Sequence, residues 1–429
     1  MRIDEFNREA IDGRTRVSAR VSWEDCDRPQ SRIYFETDPQ FAGDLSCNPN
    51  AFLLAAIIPA MHHGERRVIV QGKVCPQLRN GLTTAMLQLR AWYEEDEHPV
   101  AIEAIEGFEP PEGLWPQQTA SFMSGGVDAL ATLRRNRLEF PRSHPGAIRD
   151  GFFVYGIDMG GPNGQADERH FKLACESVAQ IADHAQMTLI PVRTNVRYLD
   201  DDGIQFALKS HAAILSSVAH AFSRRISTAK IAASDHVDVL VPWGSHPKLD
   251  PCYSSADVCI QHDGILYSRL QKVALVAEWD VALKNLRSCY NPWRPGDRLN
   301  CGRCEKCIRT MTELVACGKL KDAASFMFDD VSPDLLRILK VKDKGEGDSY
   351  LLERIYMGNA CFWQELIVPL KRIGRHDLTD VIQDRLAEYD RDQARVEERD
   401  WRGVLKRLDR RWLRSRLTSI SRRIRGISV

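Results

Sequence analysis

The residues that most constrain the fold are 121–129, SFMSGGVDA, in which two adjacent glycines separate an apolar run from a helix-compatible segment. The run 120–123 predicts a buried strand, and residues 128–137 predict a helix. Gly125 and Gly126 let the backbone turn tightly and approach a ligand closely. The N–H groups of such a turn and of the first helical residues converge, which favours an anion. The stretch therefore predicts either a strand–turn–helix unit around an anion site or a plain glycine turn between buried elements.

This anion site differs from the common nucleoside-triphosphate loop, because no Gly-Lys-Ser/Thr follows the glycines. It resembles the pyrophosphate loop, Ser-Gly-Gly-x-Asp-Ser, of ATP pyrophosphatases, which cleave ATP between its α- and β-phosphates and transfer AMP to a substrate oxygen. Ala129 stands where that family has its final Ser, so either Ser121 or Ser124 compensates for the missing hydroxyl or activity is reduced. The resemblance implies ATP and Mg²⁺ as ligands, catalytic roles for Ser124 and Asp128, and nucleotide contacts from Ser121, Ser124, Gly125, Gly126, Val127 and Asp128.

A second pattern concentrates four cysteines in nineteen residues: Cys289, Cys301, Cys304 and Cys307. Two overlapping Cys-x2-Cys steps suit thiolates that converge on a tetrahedral Zn²⁺. Four protein ligands close the coordination shell, so the predicted zinc is structural. The alternatives are an iron–sulfur cluster, which thiolates also hold, unliganded thiols, or a site in which Cys317 replaces one ligand.

The glycine loop and the four cysteines together resemble 7-cyano-7-deazaguanine synthase and its relatives, and residues 300–310, NCGRCEKCIRT, match that family most closely. The resemblance implies that ATP activates a carboxylate, that ammonia then attacks it, and that zinc holds the C-terminal part of the domain. It spans residues 118–320 and does not extend to the first or the last hundred residues. The chemistry is therefore better indicated than the substrate.

The composition is that of a soluble globular protein, with 43% apolar and 28% charged residues in a chain of 429. The zero net charge argues neither for nor against nucleic acid, and no apolar run approaches the twenty residues of a membrane-spanning helix. The first residues, MRIDE, lack a secretory signal pattern. Twelve cysteines, four of them in a metal pattern, favour a reducing cytoplasm over a disulfide framework.

Three regions are expected: a small α+β domain at 1–115, an α/β domain at 118–320 and a helical region at 321–429. The first has strand candidates at 16–23, 31–36, 67–71 and 99–105, helix candidates at 49–63 and 78–93, and a linker at 109–113. The second has strand candidates at 120–123, 151–157, 187–192, 230–233 and 239–241, and helix candidates at 128–137, 167–185, 205–223 and 268–275. Alternating strands and helices predict a doubly wound parallel sheet that binds ligands at the carboxyl ends of its strands.

The last segment, 401–429, carries ten Lys or Arg and one acid, Asp409, with an apolar stripe on one helical face. A basic amphipathic helix can contact an anionic membrane or a nucleic acid. A solvated terminal helix that docks by its apolar stripe is the favoured interpretation, because charge runs alone are weak indicators.

Further candidate site residues follow the predicted strands. Asp158 ends the second strand of the α/β region and either lies near a ribose or adenine or caps its loop. His246 and Asp250, after the apolar run 239–241, either orient a substrate or move a proton, or belong to a rigid Pro-rich turn. Arg269 and Lys272, three apart on a helix, either meet phosphate or lie on a solvated face, which is the favoured alternative. Ser210 is a candidate helix cap.

The leading functional hypothesis is an AMP-forming enzyme that activates a carboxylate or amide oxygen of an unidentified acceptor for attack by ammonia or an amine. One alternative, prompted by Ala129, is a nucleotide-binding scaffold without turnover. Another is an RNA-thiolating enzyme, which needs a reactive cysteine outside the metal pattern, such as Cys175 or Cys252. A homodimer, or partner proteins bound through the terminal regions, are further possibilities that the sequence leaves open.

Overall fold

The computed structural model describes residues 1–93, 98–108, 118–162, 168–289, 298–337 and 350–399, with side chains in the last range given for 360–391. The expected linker at 109–113 and the basic segment 401–429 lie outside these residues. Within the described ranges, none of the helices combines the length and the apolar character that a membrane crossing requires.

The described strands are β1 (Arg2–Ile11), β2 (Arg14–Ser22), β3 (Ser31–Thr37), β4 (Arg67–Val70), β5 (Ala101–Ala104), β6 (Thr119–Phe122), β7 (Ile148–Tyr155), β8 (Thr188–Thr194), β9 (Thr228–Ala232) and β10 (Cys259–Asp263). The described α-helices are α1 (Pro49–His62), α2 (Pro76–Tyr93), α3 (Val127–Glu139), α4 (Glu168–His184), α5 (Gly203–Gln205), α6 (His211–Ala221), α7 (Arg269–Ala277), α8 (Asp280–Lys284), α9 (Glu305–Ala316), α10 (Pro333–Arg337), α11 (Tyr350–Arg372) and α12 (His376–Arg399).

Strands β6 to β10 form the parallel half of the sheet, in the order β10-β9-β6-β7-β8. The chain starts at the central strand β6, adds β7 and β8 on one side, and then returns to add β9 and β10 on the other. This reversal creates a topological switch point between β6 and β9, where an open α/β sheet forms a crevice outside the carboxyl ends of its strands. The expected α/β fold with a parallel sheet is confirmed for this region.

The N-terminal strands continue the same sheet. Strand β3 pairs antiparallel with β8, with Phe35 opposite Thr194, and β2, β1, β4 and β5 follow outward in that order. The ten strands of the described chain thus form one mostly parallel sheet. The division expected near residue 115 does not separate two sheets, and residues 1–331 belong to one compact unit.

Helix α1 explains why the two regions share a core. Nearly every residue from Asn50 to Met61 is buried, and a helix that is apolar all round must be covered on all sides. It contacts α6, whose residues Val218 and Ala219 are fully buried in the same core. The core therefore runs continuously from the N-terminal region into the α/β region.

A second compact unit contains residues 332–348 and 363–429. Within it, Leu336 of α10 is buried, and so are Leu378 and Ile382 of α12. The Arg385 guanidinium donates to the Arg337 carbonyl at 2.8 Å. The helical character expected after residue 320 is observed in the described part of this unit.

Local differences from the sequence-based expectations have identifiable causes. Strand β1 has no counterpart among the expected strands, because half of its residues are charged and its apolar residues do not alternate regularly. Ile3 is nevertheless buried, and the carboxylate of the buried Asp4 is bound by Arg20 at 2.8 Å. The run expected as a strand at 239–241 forms no strand: its first residue ends a short 3₁₀ turn, Val237–Val239, and the other two have no regular structure. Ser210 is not a helix cap: it ends a π-helical turn, Phe206–Ser210, and its side chain makes no cap hydrogen bond.

Candidate functional site at the sheet switch point

The glycine loop lies where the parallel strands change direction. It leaves β6 at Phe122 and opens α3 at Val127, with Gly126 as the N-cap residue. Gly125 has φ +75°, a left-handed conformation that favours glycine, and the Gly126 N–H donates to Ser124 Oγ at 3.2 Å. Gly126 supplies no side-chain cap, so the first N–H groups of α3 have no partner within the helix. The predicted strand, turn and helix are present, and the loop offers backbone donors to an anion.

Not every residue expected to contact a nucleotide is accessible. Ser121 is fully buried, and its hydroxyl donates to the Lys230 carbonyl on β9 at 3.4 Å, so it does not compensate for the hydroxyl missing at Ala129. Ala129 is itself 5% exposed. Ser124, in contrast, is exposed at the tip of the loop. Val127 is buried and can reach a ligand only through its backbone.

Two buried cations face the Asp128 carboxylate. Arg269 Nη1 lies 3.5 Å from each Asp128 carboxylate oxygen, and Lys272 Nζ lies 3.7 Å from Oδ1. Lys272 also donates to the Ala233 carbonyl at 2.6 Å, at the carboxyl end of β9. Burial lowers the pKa of the Lys272 ammonium group, while Asp128 raises it. The favoured alternative of a solvated face for Arg269 and Lys272 is therefore wrong, because both side chains turn inward to the loop.

Helix α9 supplies the groups that hold Arg269. Glu313, buried at 1% exposure, accepts from Arg269 Nε at 3.2 Å, and the Thr310 hydroxyl accepts from Nη2 at 3.2 Å. Burial raises the pKa of Glu313, whereas Arg269 and Arg309 lower it. A planar guanidinium bound on one side by Glu313 keeps a fixed orientation toward Asp128 on the other.

Arg287, which lies two residues before Cys289, makes two hydrogen bonds to the glycine loop. The Arg287 N–H donates to the Gly125 carbonyl at 2.8 Å, and Arg287 Nη1 donates to the Ser124 carbonyl at 2.7 Å. A Cβ added at Gly125 would lie 3.4 Å from Arg287 Cβ and 3.1 Å from Val178 Cγ2. Glycine is therefore needed at this position both for its backbone conformation and for the close packing.

The four expected cysteines converge. Cys289 Sγ lies 3.8 Å from Cys304 Sγ, Cys301 Sγ lies 3.8 Å from Cys307 Sγ, and all four sulfur atoms lie within 4.8 Å of one another. Gly302, with φ +69°, turns the chain so that the N–H of Cys304 donates to Cys301 Sγ at 3.2 Å. The cluster can bind a metal ion such as zinc. Cys317 is not among the converging sulfurs.

Asn300 joins the two halves of this cluster. Its Oδ1 accepts from the N–H groups of Ser288 and Cys289, at 2.9 and 3.2 Å, and its Nδ2 donates to the Leu286 carbonyl at 2.8 Å. Asn300 is completely buried, so these bonds satisfy an amide that would otherwise cost stability. The first cysteine is thereby fixed beside the other three.

Asp158 lies after β7, as expected, beside a group of ionisable side chains. Burial lowers the pKa of Arg197, and Asp158 raises it. Burial also lowers the pKa of His211, while Asp158 and Asp250 raise it and Arg197 and Lys306 lower it. His211 thus lies within the electrostatic reach of two carboxylates and two cations.

His246 and Asp250 form a hydrogen-bonded turn with His262. The fully buried Asp250 carboxylate accepts from Ser245 Oγ at 2.8 Å, from the His246 N–H at 2.9 Å and from His262 Nδ1 at 2.7 Å. Burial and the neighbouring His262 lower the pKa of His246 to about 4, and its Nδ1 accepts from the Lys248 N–H at 3.0 Å. These bonds join the two residues to each other and to β10 rather than to the glycine loop, and they favour the rigid-turn interpretation.

Several residues of the site were not identified from the sequence. Arg287 and Glu313 belong to no motif and become part of the site only through distant contacts. Asp235 follows β9 at the switch point, and burial and Asp128 raise its pKa. Of these residues, only Asp235 could have been identified from the sequence. It is a polar residue shortly after a predicted parallel strand, and such residues lie at the ligand-binding edge of the sheet.

Comparisons of this chain with models of known families, with curated proteins and with solved structures return no match. The geometry of the loop and of its neighbours is therefore the basis for assigning a function.

Proposed function

We propose that this chain is an ATP-dependent, AMP-forming enzyme that activates a carboxylate or amide oxygen for attack by ammonia or an amine. The observation that carries the proposal is the glycine loop at the carboxyl end of β6, where the strand order reverses and α3 begins without a side-chain cap. A switch-point crevice and an uncapped helix N-terminus both favour a phosphate-bearing ligand. The Ser-Gly-Gly-x-Asp sequence at this point makes a pyrophosphate group the best candidate.

In this proposal the N–H groups of residues 127–129 bind the β,γ-pyrophosphate, while Arg269 and Lys272 neutralise its charge. Mg²⁺, when bound, would neutralise phosphate oxygens further, and Asp128 is the carboxylate placed to hold it. Because Arg269 is held by Glu313, its charge is already oriented before ATP arrives. Such preorganised charge is most effective where negative charge develops in the transition state.

The reaction proceeds in two displacements. The acceptor oxygen attacks the α-phosphorus, the bond from that phosphorus to the α,β-bridging oxygen breaks, and pyrophosphate leaves. The nitrogen nucleophile then attacks the adenylated carbon, the C–O bond to AMP breaks, and the nitrogen loses a proton. That proton passes to solvent water.

The four-cysteine cluster is assigned to structural zinc. Sulfur atoms around a tetrahedral zinc with Zn–S bonds of about 2.3 Å are roughly 3.8 Å apart, which matches the 3.8 Å separations of Cys289–Cys304 and Cys301–Cys307. A multi-iron cluster distributes its four thiolates over two or four iron atoms, so it needs a wider set than four sulfur atoms within 4.8 Å of one another. Zinc here would fix the segment from which Arg287 reaches the glycine loop.

Sulfur transfer to RNA is less well supported than nitrogen transfer. It requires a thiolate, and burial raises the pKa of Cys175 to about 11 and also raises the pKa of Cys252. A nucleotide-binding scaffold without turnover is the second candidate, since Ala129 lacks the hydroxyl of the resembled loop and Ser121 does not replace it.

Two ATP analogues test the proposal on the purified full chain with Mg²⁺, ammonium and a metabolite extract as the source of acceptor. An enzyme that cleaves between the α- and β-phosphates converts the β,γ-methylene analogue to AMP but leaves the α,β-methylene analogue intact. Asp128→Asn should abolish AMP formation, whereas Asp238→Asn, at a side chain that is 82% exposed, should not. Conversion of the α,β-methylene analogue to α,β-methylene-ADP and phosphate would show that the loop chemistry is wrong, and nucleotide binding without cleavage would favour the scaffold.

A further inference from the structure

A second group of metal-ligating side chains lies away from the glycine loop, where α1 ends near the turn after β8. His62 is the last residue of α1, His63 follows it, and Asp200 comes directly after the short helix Val196–Leu199. His62 Nδ1 lies 2.7 Å from Asp200 Oδ2, and His63 Nε2 lies 3.7 Å from Asp200 Oδ1. One ligand atom from each of the three residues lies within 4.8 Å of the others.

The end of the helix makes this convergence possible. Consecutive side chains of an α-helix point about 100° apart and do not normally meet. His63 has left the helical conformation, with φ −91° and ψ 11°, and its ring lies 4.6 Å from that of His62 between centroids. The two histidines thus present different nitrogen atoms, Nδ1 and Nε2, to one carboxylate.

Neighbouring groups hold the three side chains in place. Trp23 packs edge-on against His63 with centroids 5.2 Å apart, and the Asp202 N–H donates to Asp200 Oδ1 at 3.2 Å. Such outer contacts are typical of metal sites, where they fix the orientation of the ligands. Asp200 is only 7% exposed, and His63 Nε2 is a buried nitrogen without a hydrogen-bond partner among the described residues. A buried imidazole nitrogen directed toward a carboxylate and a second histidine fits a shared cation.

We propose that His62, His63 and Asp200 bind a second zinc ion. Zinc bonds of about 2.0–2.2 Å to imidazole and carboxylate place tetrahedral ligand atoms roughly 3.3–3.5 Å apart, between the two separations observed here. Three protein ligands leave one position for water or another small ligand, in contrast to the closed four-cysteine cluster. The ion would join α1 to the turn that carries Arg197.

The metal content of the full chain, purified in the presence of zinc and passed through gel filtration, tests this site. The wild type should carry two equivalents of zinc, and His63→Ala and Asp200→Asn should each carry one. The matched control is Asp201→Asn, which makes the same change one residue further on, at a side chain that is 68% exposed, and should keep both ions. A wild type with one equivalent, or variants at His63 and Asp200 that lose none, would show an ion pair only.

X-ray absorption at the zinc edge provides a measurement that does not depend on any variant folding. Two occupied sites predict an equal mixture of sulfur and nitrogen or oxygen ligands per zinc in the wild type. A spectrum with sulfur ligands alone would overturn the proposal.

Discussion

The N–H of Arg287 donates to the carbonyl of Gly125 at 2.8 Å, and this bond ties the segment before Cys289 to the tip of the glycine loop. The Arg287 guanidinium adds a bond to the Ser124 carbonyl, so the two consecutive loop carbonyls are turned toward one residue. Both bonds use loop carbonyls as acceptors, so neither consumes a backbone N–H group at the start of α3.

Arg287→Ala should weaken nucleotide binding without unfolding the protein. The variant keeps the backbone bond to Gly125 but loses the guanidinium bond to Ser124, and a hydrogen bond from a charged group contributes about 1.5–3 kcal/mol. We therefore expect a loss of roughly tenfold or more in affinity for an ATP analogue, measured by titration calorimetry. Arg149→Ala, at the amino end of β7, should bind the analogue with normal affinity. Equal affinity in the wild type and both variants would show that the Arg287 side chain is not needed.

Gly126→Val should abolish nucleotide binding while the fold persists. Gly126 has φ −81°, which valine tolerates, and an added Cβ lies 3.2 Å from the exposed Ser124 Oγ, which can rotate away. The valine side chain would nevertheless fill the space next to the loop donors. Gly125→Ala should behave differently, because an L-residue in the left-handed region costs about 1–2 kcal/mol and meets Val178. Thermal melting should thus fall for Gly125→Ala only, and an unchanged Kd for Gly126→Val would contradict the binding site.

Cys304→Ser should lose one equivalent of zinc and lower the melting temperature. Structural zinc contributes directly to folding free energy, so removing one thiolate from a closed shell destabilises the segment that carries Arg287. Cys317→Ser is the matched control, because Cys317 does not belong to the converging sulfurs and burial raises its pKa to about 11. Metal analysis gives the zinc content of both variants, and scanning calorimetry gives their melting temperatures. A Cys304→Ser variant with as much zinc as the wild type would refute the ligand set.

Ala129→Ser should leave ATP affinity unchanged or increase it. It restores the hydroxyl of the resembled loop, and a well-placed hydrogen bond to a charged phosphate contributes about 1.5–3 kcal/mol, or tenfold or more in affinity. The structure makes this test more informative, because the Ser121 hydroxyl donates to the Lys230 carbonyl and therefore does not already bind the phosphate in place of the missing hydroxyl. Titration with a non-hydrolysable analogue gives the answer, and weaker binding would mean that the small buried residue is required by packing.

Stability should fall as the pH drops from 6.5 to 4, in part because of His220. This histidine is fully buried, its Nδ1 donates to the Ser216 carbonyl at 2.8 Å, and burial lowers its pKa to about 4. The unfolded chain takes up a proton in this window that the folded chain excludes, so the free energy of unfolding decreases by up to roughly 3 kcal/mol. Urea unfolding at pH 7 and pH 5 should show a smaller decrease for His220→Leu than for the wild type, and the same decrease for His144→Leu, at an exposed histidine.

The sequence was most informative where one local pattern determines one element. The two glycines and the apolar run before them predicted the turn between β6 and α3, and the cysteine spacing predicted four sulfur atoms that meet. Helix α1 was also predicted, because its composition requires burial whatever surrounds it. In each case the interactions that decide the structure lie within a short stretch of the chain.

The remaining features depend on distant partners. Arg269 is an ordinary surface residue by sequence pattern, and its burial is decided by Glu313, 44 residues further on. Asp4 and Arg20 stabilise a strand that local hydrophobicity did not reveal. The sequence suggests that Ser121 contacts phosphate. Its hydroxyl instead donates to a carbonyl of β9, and the sequence does not show that this strand lies beside it. Polar and charged residues near the site were thus the least predictable from local pattern.

The pairing of β3 with β8 has a consequence for how this protein can be divided. If residues 1–108 were removed, the backbone donors and acceptors of β8 that now meet Phe35 and Thr37 would face water. An uncovered strand of this kind promotes association between copies. The N-terminal region therefore covers the strand edge of the parallel half of the sheet, and an exchange of either part must supply a new neighbour for β8.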